Sequence, residues 1–162
     1  MKNFNKKNNQ LFNESKIKIV FESRLKRHGV STNLFEKNCK TVNFINYKNF
    51  KNGEIAMYDL FNNNILLQGN NYINYIWHEL LHMSSTVLSG DIIYSGVSAL
   101  DLSGYRIGYG LNEGLTVFID FMFFKNITKE HDIKADSYKI EKTLCNMLYD
   151  ILGSFLLECY FN

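Results

Sequence analysis

Two histidines four residues apart, His78 and His82, constrain this chain more than any other feature of its sequence. They lie in the segment Asn71 to Ser85, where Ile73, Ile76, Trp77, Leu80, Leu81 and Met83 supply apolar surface. Asn71, Tyr75, His78 and His82 form a polar stripe at helical spacing. The pattern predicts a helix that packs on one side and faces a cleft on the other. On such a helix, residues i and i+4 lie one above the other with Cβ atoms about 5–6 Å apart. Two imidazoles at that separation can converge on one zinc ion, whose bonds to nitrogen measure about 2.0–2.1 Å. Glu79 lies about 100° further round and overhangs the same side. It can reach a water on the ion without being a ligand itself.

A zinc hydrolase needs a third protein ligand and an open fourth position. The segment Gly108-Tyr109-Gly110-Leu111-Asn112-Glu113-Gly114-Leu115-Thr116 supplies a candidate in Glu113. This residue follows a glycine-rich turn and opens an apolar helix expected over about Asn112 to Lys125, with Leu115, Phe118, Ile119 and Met122. A carboxylate there gains from the helix dipole. Read alone, Asn112 and Glu113 serve equally well as caps of that helix. Joined to the upstream histidines, Glu113 reads as the third ligand.

The pair of motifs, His78-Glu-x-x-His82 and Asn112-Glu113-Gly114-Leu115-Thr116, resembles the gluzincins, the thermolysin-like superfamily of zinc peptidases. It is similar above all to small bacterial HExxH proteins in which a Leu-Asn-Glu-Gly-Leu-Thr segment follows the active-site helix. The resemblance covers roughly residues 54 to 150. It implies an α+β, zincin-like fold, with a small mixed sheet, an active-site helix and a second ligand-bearing helix. It further implies one Zn2+ held by His78, His82 and Glu113, Glu79 as general base, and Asn112 as the residue preceding the third ligand. In one respect the chain departs from the pattern. Thermolysin-like enzymes place a carboxylate one helical turn after the third ligand, and here that position is Val117. Asp120, Asp101 or a backbone carbonyl are the substitutes the sequence offers.

The rest of the chain sets limits. Its 162 residues predict one domain able to bury a core without disulfides, spanning 14–162 behind a polar, disordered tail at 1–13. Against larger relatives that domain ends early, as a short catalytic core or a truncated relative would. No run of about 18 apolar residues occurs, so no membrane span is expected. Lys16 and Lys18 interrupt the only apolar patch near the N-terminus, so no signal-peptide core is expected either. Cys39, Cys145 and Cys159 are an odd number at no metal-ligand spacing and read as buried, reduced thiols of a cytoplasmic protein. Residues 1 to 52 carry 12 Lys or Arg against 3 acids, but no nucleic-acid motif accompanies them, so a solvated basic face is expected and nucleic acid is not. The abundance of Asn (21) and Lys (15) reads as coding bias and is given no mechanistic weight.

Further elements follow from periodicity. A helix is expected over Ser15 to His28, a strand over Thr41 to Tyr47, and a hairpin from Glu54–Asp59 and Ile65–Gln68 around three asparagines. Ser89 to Gly110 reads as irregular chain with one short strand near Ile92 to Val97. A last helix over about Lys134 to Phe155 should turn Ile140, Leu144, Met147, Leu148, Ile151, Leu152 and Phe155 towards the core. The strand Ile65 to Gln68 is the one expected to rim the cleft and take a peptide or protein substrate by strand addition. Tyr94, Tyr105, Tyr109, His131 and Tyr138 are the candidates for stabilising an oxyanion. The leading expectation is a zinc metallopeptidase. The alternative is a catalytically inactive, metal-stabilised interaction or regulatory domain, and the sequence leaves the oligomeric state open.

Overall fold

A computed structural model of the chain describes residues 14–50, 54–69, 75–127 and 138–162. The tail at 1–13, the first residues of the histidine-bearing segment and His131 lie outside these ranges. The described residues form an α+β architecture of six helices and two small sheets.

Helix α1 (Glu14–Arg27) buries Ile17, Phe21 and Leu25, the stripe its periodicity predicts. Gly29, at φ 70°, ends it. A short helix α2 (Asn33–Cys39) was not legible in the sequence, because one buried residue, Phe35, makes no periodic pattern. Its structural role lies in Asn38. The side-chain amide there donates to the carbonyls of Met83 (2.7 Å) and Thr86 (2.9 Å), pinning the end of the histidine-bearing helix.

The first sheet contains β1 (Asn43–Asn46), β2 (Ala56–Asp59) and β3 (Asn64–Leu67) in the order β1-β3-β2. β1 runs parallel to β3 and β2 antiparallel to it, so the sheet is mixed. The hairpin forms around the asparagine run, with Asn63 in the left-handed region at φ 49°. The rim strand is corrected, however. β3 is the central strand and both its edges are paired, so it has no edge to offer a substrate. β2 has the open edge.

Helix α3 (Ile76–Ser84) is buried along its whole length. It leads directly into a four-stranded antiparallel meander: β4 (Thr86–Ser89), β5 (Ile92–Ser95), β6 (Ser98–Asp101) and β7 (Arg106–Ile107). The sequence reading gave this stretch one strand in otherwise irregular chain. In fact Gly90 (φ 60°) and Gly96 (φ 55°) open tight two-residue hairpin turns, and Gly104 (φ 86°) lies in the longer β6–β7 turn. Four-residue strands are too short to show a clear alternation.

Helix α4 (Tyr109–Phe124) carries Glu113, and α5 (Lys139–Leu152) and α6 (Ser154–Phe161) close the fold. The helix expected to run through to Phe155 breaks at Gly153, whose φ 57°, ψ −136° suit glycine alone. Phe124 stacks on both Phe21 (5.3 Å) and Trp77 (4.9 Å), so α1, α3 and α4 share one aromatic core beneath the site. Among the described residues no single helix is long and apolar enough to cross a membrane. The bent pair α5–α6 has the length and composition but turns through 115°.

α5 does not dock as its periodicity suggested. Ile140 is 82% exposed and Ile151 78%, and Leu144, Met147 and Phe155 are exposed too. The helix instead buries Cys145 and packs Leu148 and Tyr149 against the core. Gly114 of α4 selects this face: a Cβ there would overlap Glu141 Cβ and fall 2.8 Å from the Glu141 carbonyl carbon. The close approach draws in the side of α5 that bears Glu141 and Cys145. Gly114→Ala therefore has opposed effects. Helix propensity gains up to about 1 kcal/mol, but α5 has to move away, and the expected result is a net loss of about 1–3 kcal/mol in urea unfolding.

All three cysteines are free, but of the three expected to be buried only Cys145 is: Cys39 is partly buried, and Cys159, on the short last helix, is exposed. Burial pushes the Cys39 and Cys145 thiols up to about 11. Alkylation of the native protein at pH 8 should therefore label Cys159 first, with the other two reacting only on unfolding. Peptide mapping of the labelled sites checks this.

Candidate metal centre

His78 and His82 sit on α3 at the spacing the sequence prescribes, and both are buried. Their Nε2 atoms are 3.1 Å apart. Glu113 approaches from α4, with Oε2 3.3 Å from His78 Nε2 and Oε1 3.3 Å from His82 Nε2. Each carboxylate oxygen thus faces a different imidazole, and the three residues form a buried triangle whose ligand atoms lie within 4.8 Å of one another, a group that can hold a metal ion. Burial alone would raise the Glu113 pKa. The His82 and His78 imidazoles beside it outweigh that and hold its carboxyl well below the usual carboxylate range.

The local folding that builds this triangle starts at both helix ends. The last carbonyls of α3 are taken up by hydroxyls: Ser85 Oγ donates to Leu81 O (3.0 Å) and His82 O (3.1 Å), and Thr86 Oγ1 donates to His82 O (2.7 Å). The backbone of the second histidine is fixed by these bonds. On the other side, α4 begins at Tyr109, three residues earlier than expected. The Asn112 N–H already donates to Gly108 O at 2.9 Å. Asn112 and Glu113 are therefore inside the helix, and neither caps it. The dipole argument for Glu113 weakens accordingly, since the residue lies beyond the first turn. Gly108 makes the early start possible: at φ 74° it passes so close to β6 that a Cβ would fall 2.5 Å from Val97 O.

Asn112 has a different role. The Val97 N–H donates to its Oδ1 (3.1 Å), and its Nδ2 approaches His82 Nδ1 (3.4 Å). The β5–β6 turn, α4 and α3 are thereby tied together behind the ligands. Val117, where the resemblance calls for a carboxylate, is buried. Of the substitutes, Asp101 is taken up by the β6–β7 turn, accepting from Ser103 Oγ (2.6 Å) and Tyr105 N (2.9 Å). Asp120 is buried on α4, two turns beyond Glu113.

Glu79 is buried one residue after His78, and its Oε2 accepts the Tyr58 N–H at 2.9 Å. That donor comes from the open edge of β2. Gln68 N donates to Ile55 O (2.8 Å), and bonded pairs recur at every second residue of an antiparallel ladder. Ala56 and Tyr58 consequently turn their N–H and C=O groups away from β3. The triangle, Glu79 and β2 all line one cleft of about 720 Å³. Tyr109 and Tyr138 line it as well. Burial, the neighbouring Tyr109 hydroxyl and the Glu113 charge push the Tyr138 hydroxyl well above its ordinary range. Tyr94 and Tyr105 are exposed side chains that do not line the cleft.

The sequence reading missed two cleft features: the edge of β2, and Arg106. Arg106 did have a signal, since it is the single Lys or Arg between Lys51 and Lys125. No protein-family model, curated protein or solved structure matches the chain.

Proposed function

We propose that the protein is a zinc-dependent metallopeptidase of zincin-like architecture, with His78, His82 and Glu113 as ligands and Glu79 as general base. The observation that carries this reading is the ligand triangle. In a tetrahedral site with bonds of about 2.0–2.1 Å, ligand atoms stand about 3.3 Å apart. Here the two imidazole nitrogens stand 3.1 Å apart, and each lies 3.3 Å from a Glu113 oxygen, Oε2 for His78 and Oε1 for His82, close to the spacing one ion would bridge. Two imidazoles and one carboxylate are also the donor set of open, catalytic zinc sites rather than closed structural ones. Zinc held there polarises a scissile carbonyl and lowers the pKa of its water.

The chain's own residues supply the rest. Glu79, fixed by the Tyr58 N–H, takes the proton of the attacking water and returns it to the leaving amine. Of the candidates named from the sequence, Tyr109 and Tyr138 line the cleft, and we assign to their hydroxyls the stabilisation of the developing oxyanion. The outward N–H and C=O of Ala56 and the C=O of Tyr58 offer an extended peptide main-chain hydrogen bonds with little sequence preference, the Tyr58 N–H being held by Glu79. Asp120, three residues after Val117 and buried on the same helix, is the carboxylate available in place of the missing one.

A metal-stabilised but inactive domain is the competing reading, favoured by Val117. A peptide library offered to the zinc-loaded parent and to Glu79→Gln separates the two. Cleavage by the parent alone supports the peptidase, and full zinc loading without cleavage in either supports the inactive domain.

A further inference from the structure

Arg106 stands on β7, paired opposite Leu100, two residues before Gly108 turns the chain into α4. That position puts it in the wall of the cleft holding the ligand triangle. Its guanidinium carbon lies 4.2 Å from the centre of the Tyr109 ring. It is partly buried, and its Nε is fully buried without a hydrogen-bond partner. Among the described residues no carboxylate lies within ion-pair distance of it. Burying a guanidinium donor with no acceptor is unfavourable, and an anion that meets the terminal nitrogens from the cleft would offset that cost.

The geometry defines what that something is. A tyrosine ring over a guanidinium leaves the in-plane N–H groups of its two terminal nitrogens free, and these match a carboxylate in two parallel hydrogen bonds. The other charged side chains lining the cleft are acidic: Glu54, Asp59, Glu79 and Glu113. Arg106 is thus the one permanently cationic side chain among the described lining residues. We propose that Arg106 anchors a carboxylate of the substrate, making the cleft selective for peptides that present a free C-terminal carboxylate or an acidic side chain near the scissile bond. The proposal rests on reading the cleft as a peptide site.

The test uses matched peptides on the full chain. N-acetyl-alanyl-phenylalanyl-alanine is compared with its C-terminal amide, and N-acetyl-alanyl-glutamyl-phenylalanine amide with its glutaminyl counterpart. Binding to the metal-free protein is measured by calorimetry for the parent, Arg106→Gln and Arg106→Lys, with thermal melting confirming that each is folded. In the parent, the carboxylate member of at least one pair should bind about tenfold tighter, and which pair responds tells whether the terminus or the side chain is read. Arg106→Gln should abolish the preference. Arg106→Lys should keep a reduced part of it, since the charge stays and the fork is lost. Equal binding within both pairs, no binding of any peptide, or a preference that survives Arg106→Gln overturns the proposal. Cleavage of the same peptides by the zinc-loaded parent separates the two readings. Hydrolysis without carboxylate preference leaves the peptidase and removes the anchor; carboxylate-selective binding without hydrolysis does the reverse.

Discussion

Glu79→Gln should leave zinc loading at about one ion per chain and reduce peptide hydrolysis by about 10²–10⁴-fold. The substitution is nearly isosteric, and the position is unusually tolerant of it. In the native protein Glu79 Oε2 accepts the Tyr58 N–H at 2.9 Å, and the amide oxygen of a glutamine accepts that same hydrogen bond. The contact between α3 and the β2 edge therefore survives. The capacity to take a proton is lost. Zinc affinity should change little, since Glu79 lies outside the ligand triangle. A loss of zinc together with activity would place Glu79 among the ligands instead. Unchanged activity would remove it from the chemistry altogether.

The second large effect is expected from the ligands themselves. In four-ligand structural sites zinc binding is worth about 10–16 kcal/mol in all, so removing one ligand costs roughly 10²–10³-fold in affinity. His82→Ala and Glu113→Ala should both show that loss in a competition titration with a chelator. Thermal melting provides an independent readout. At a zinc concentration about 100 times the dissociation constant, binding stabilises the folded parent by about 2.7 kcal/mol, a rise of about 5–10 °C for a chain of this size. Either variant at that same concentration should melt where its metal-free form does. Glu113→Ala is the more informative of the two. Glu113 is the ligand supplied by the second helix, and its removal also takes an ionised carboxylate away from two buried imidazoles. A zinc-dependent rise in melting temperature that persists in Glu113→Ala would show that the ion sits elsewhere.

What the sequence revealed and what it hid divide along physical lines. Helix α3 was legible because its apolar positions and its histidines obey one period, and that period alone puts two imidazole nitrogens side by side. The hairpin was legible because Asn63 adopts a left-handed angle that asparagine tolerates well. Glu113 was found by its neighbours in sequence, but for a partly mistaken local reason. The helix starts at Tyr109, not Asn112, because glycine at 108 permits a backbone approach that no other residue allows.

Other features depend on tertiary contacts that leave little trace in one chain. Which strand of the hairpin has the open edge is decided by β1, whose parallel pairing with β3 comes from elsewhere in the sequence. The four strands after α3 are too short for alternation, and the glycines that read as irregularity are their turns. The docking face of α5 is chosen by the missing side chain at Gly114, against the stronger periodicity of Ile140, Leu144, Met147 and Ile151. Asn38 and Asn112 brace the site through amide bonds to backbone. Asn112 is marked only by its place before Glu113, and in a chain with 21 asparagines nothing marks Asn38 out.

The proposed centre consists of three side chains from two helices sharing one ion. X-ray absorption at the zinc edge of the loaded protein in solution tests it most directly. Four light-atom ligands at about 2.0–2.2 Å, with the outer-shell scattering of two imidazoles, is the predicted spectrum. Sulfur scattering at about 2.3 Å, or a protein that retains no zinc after desalting, would contradict it.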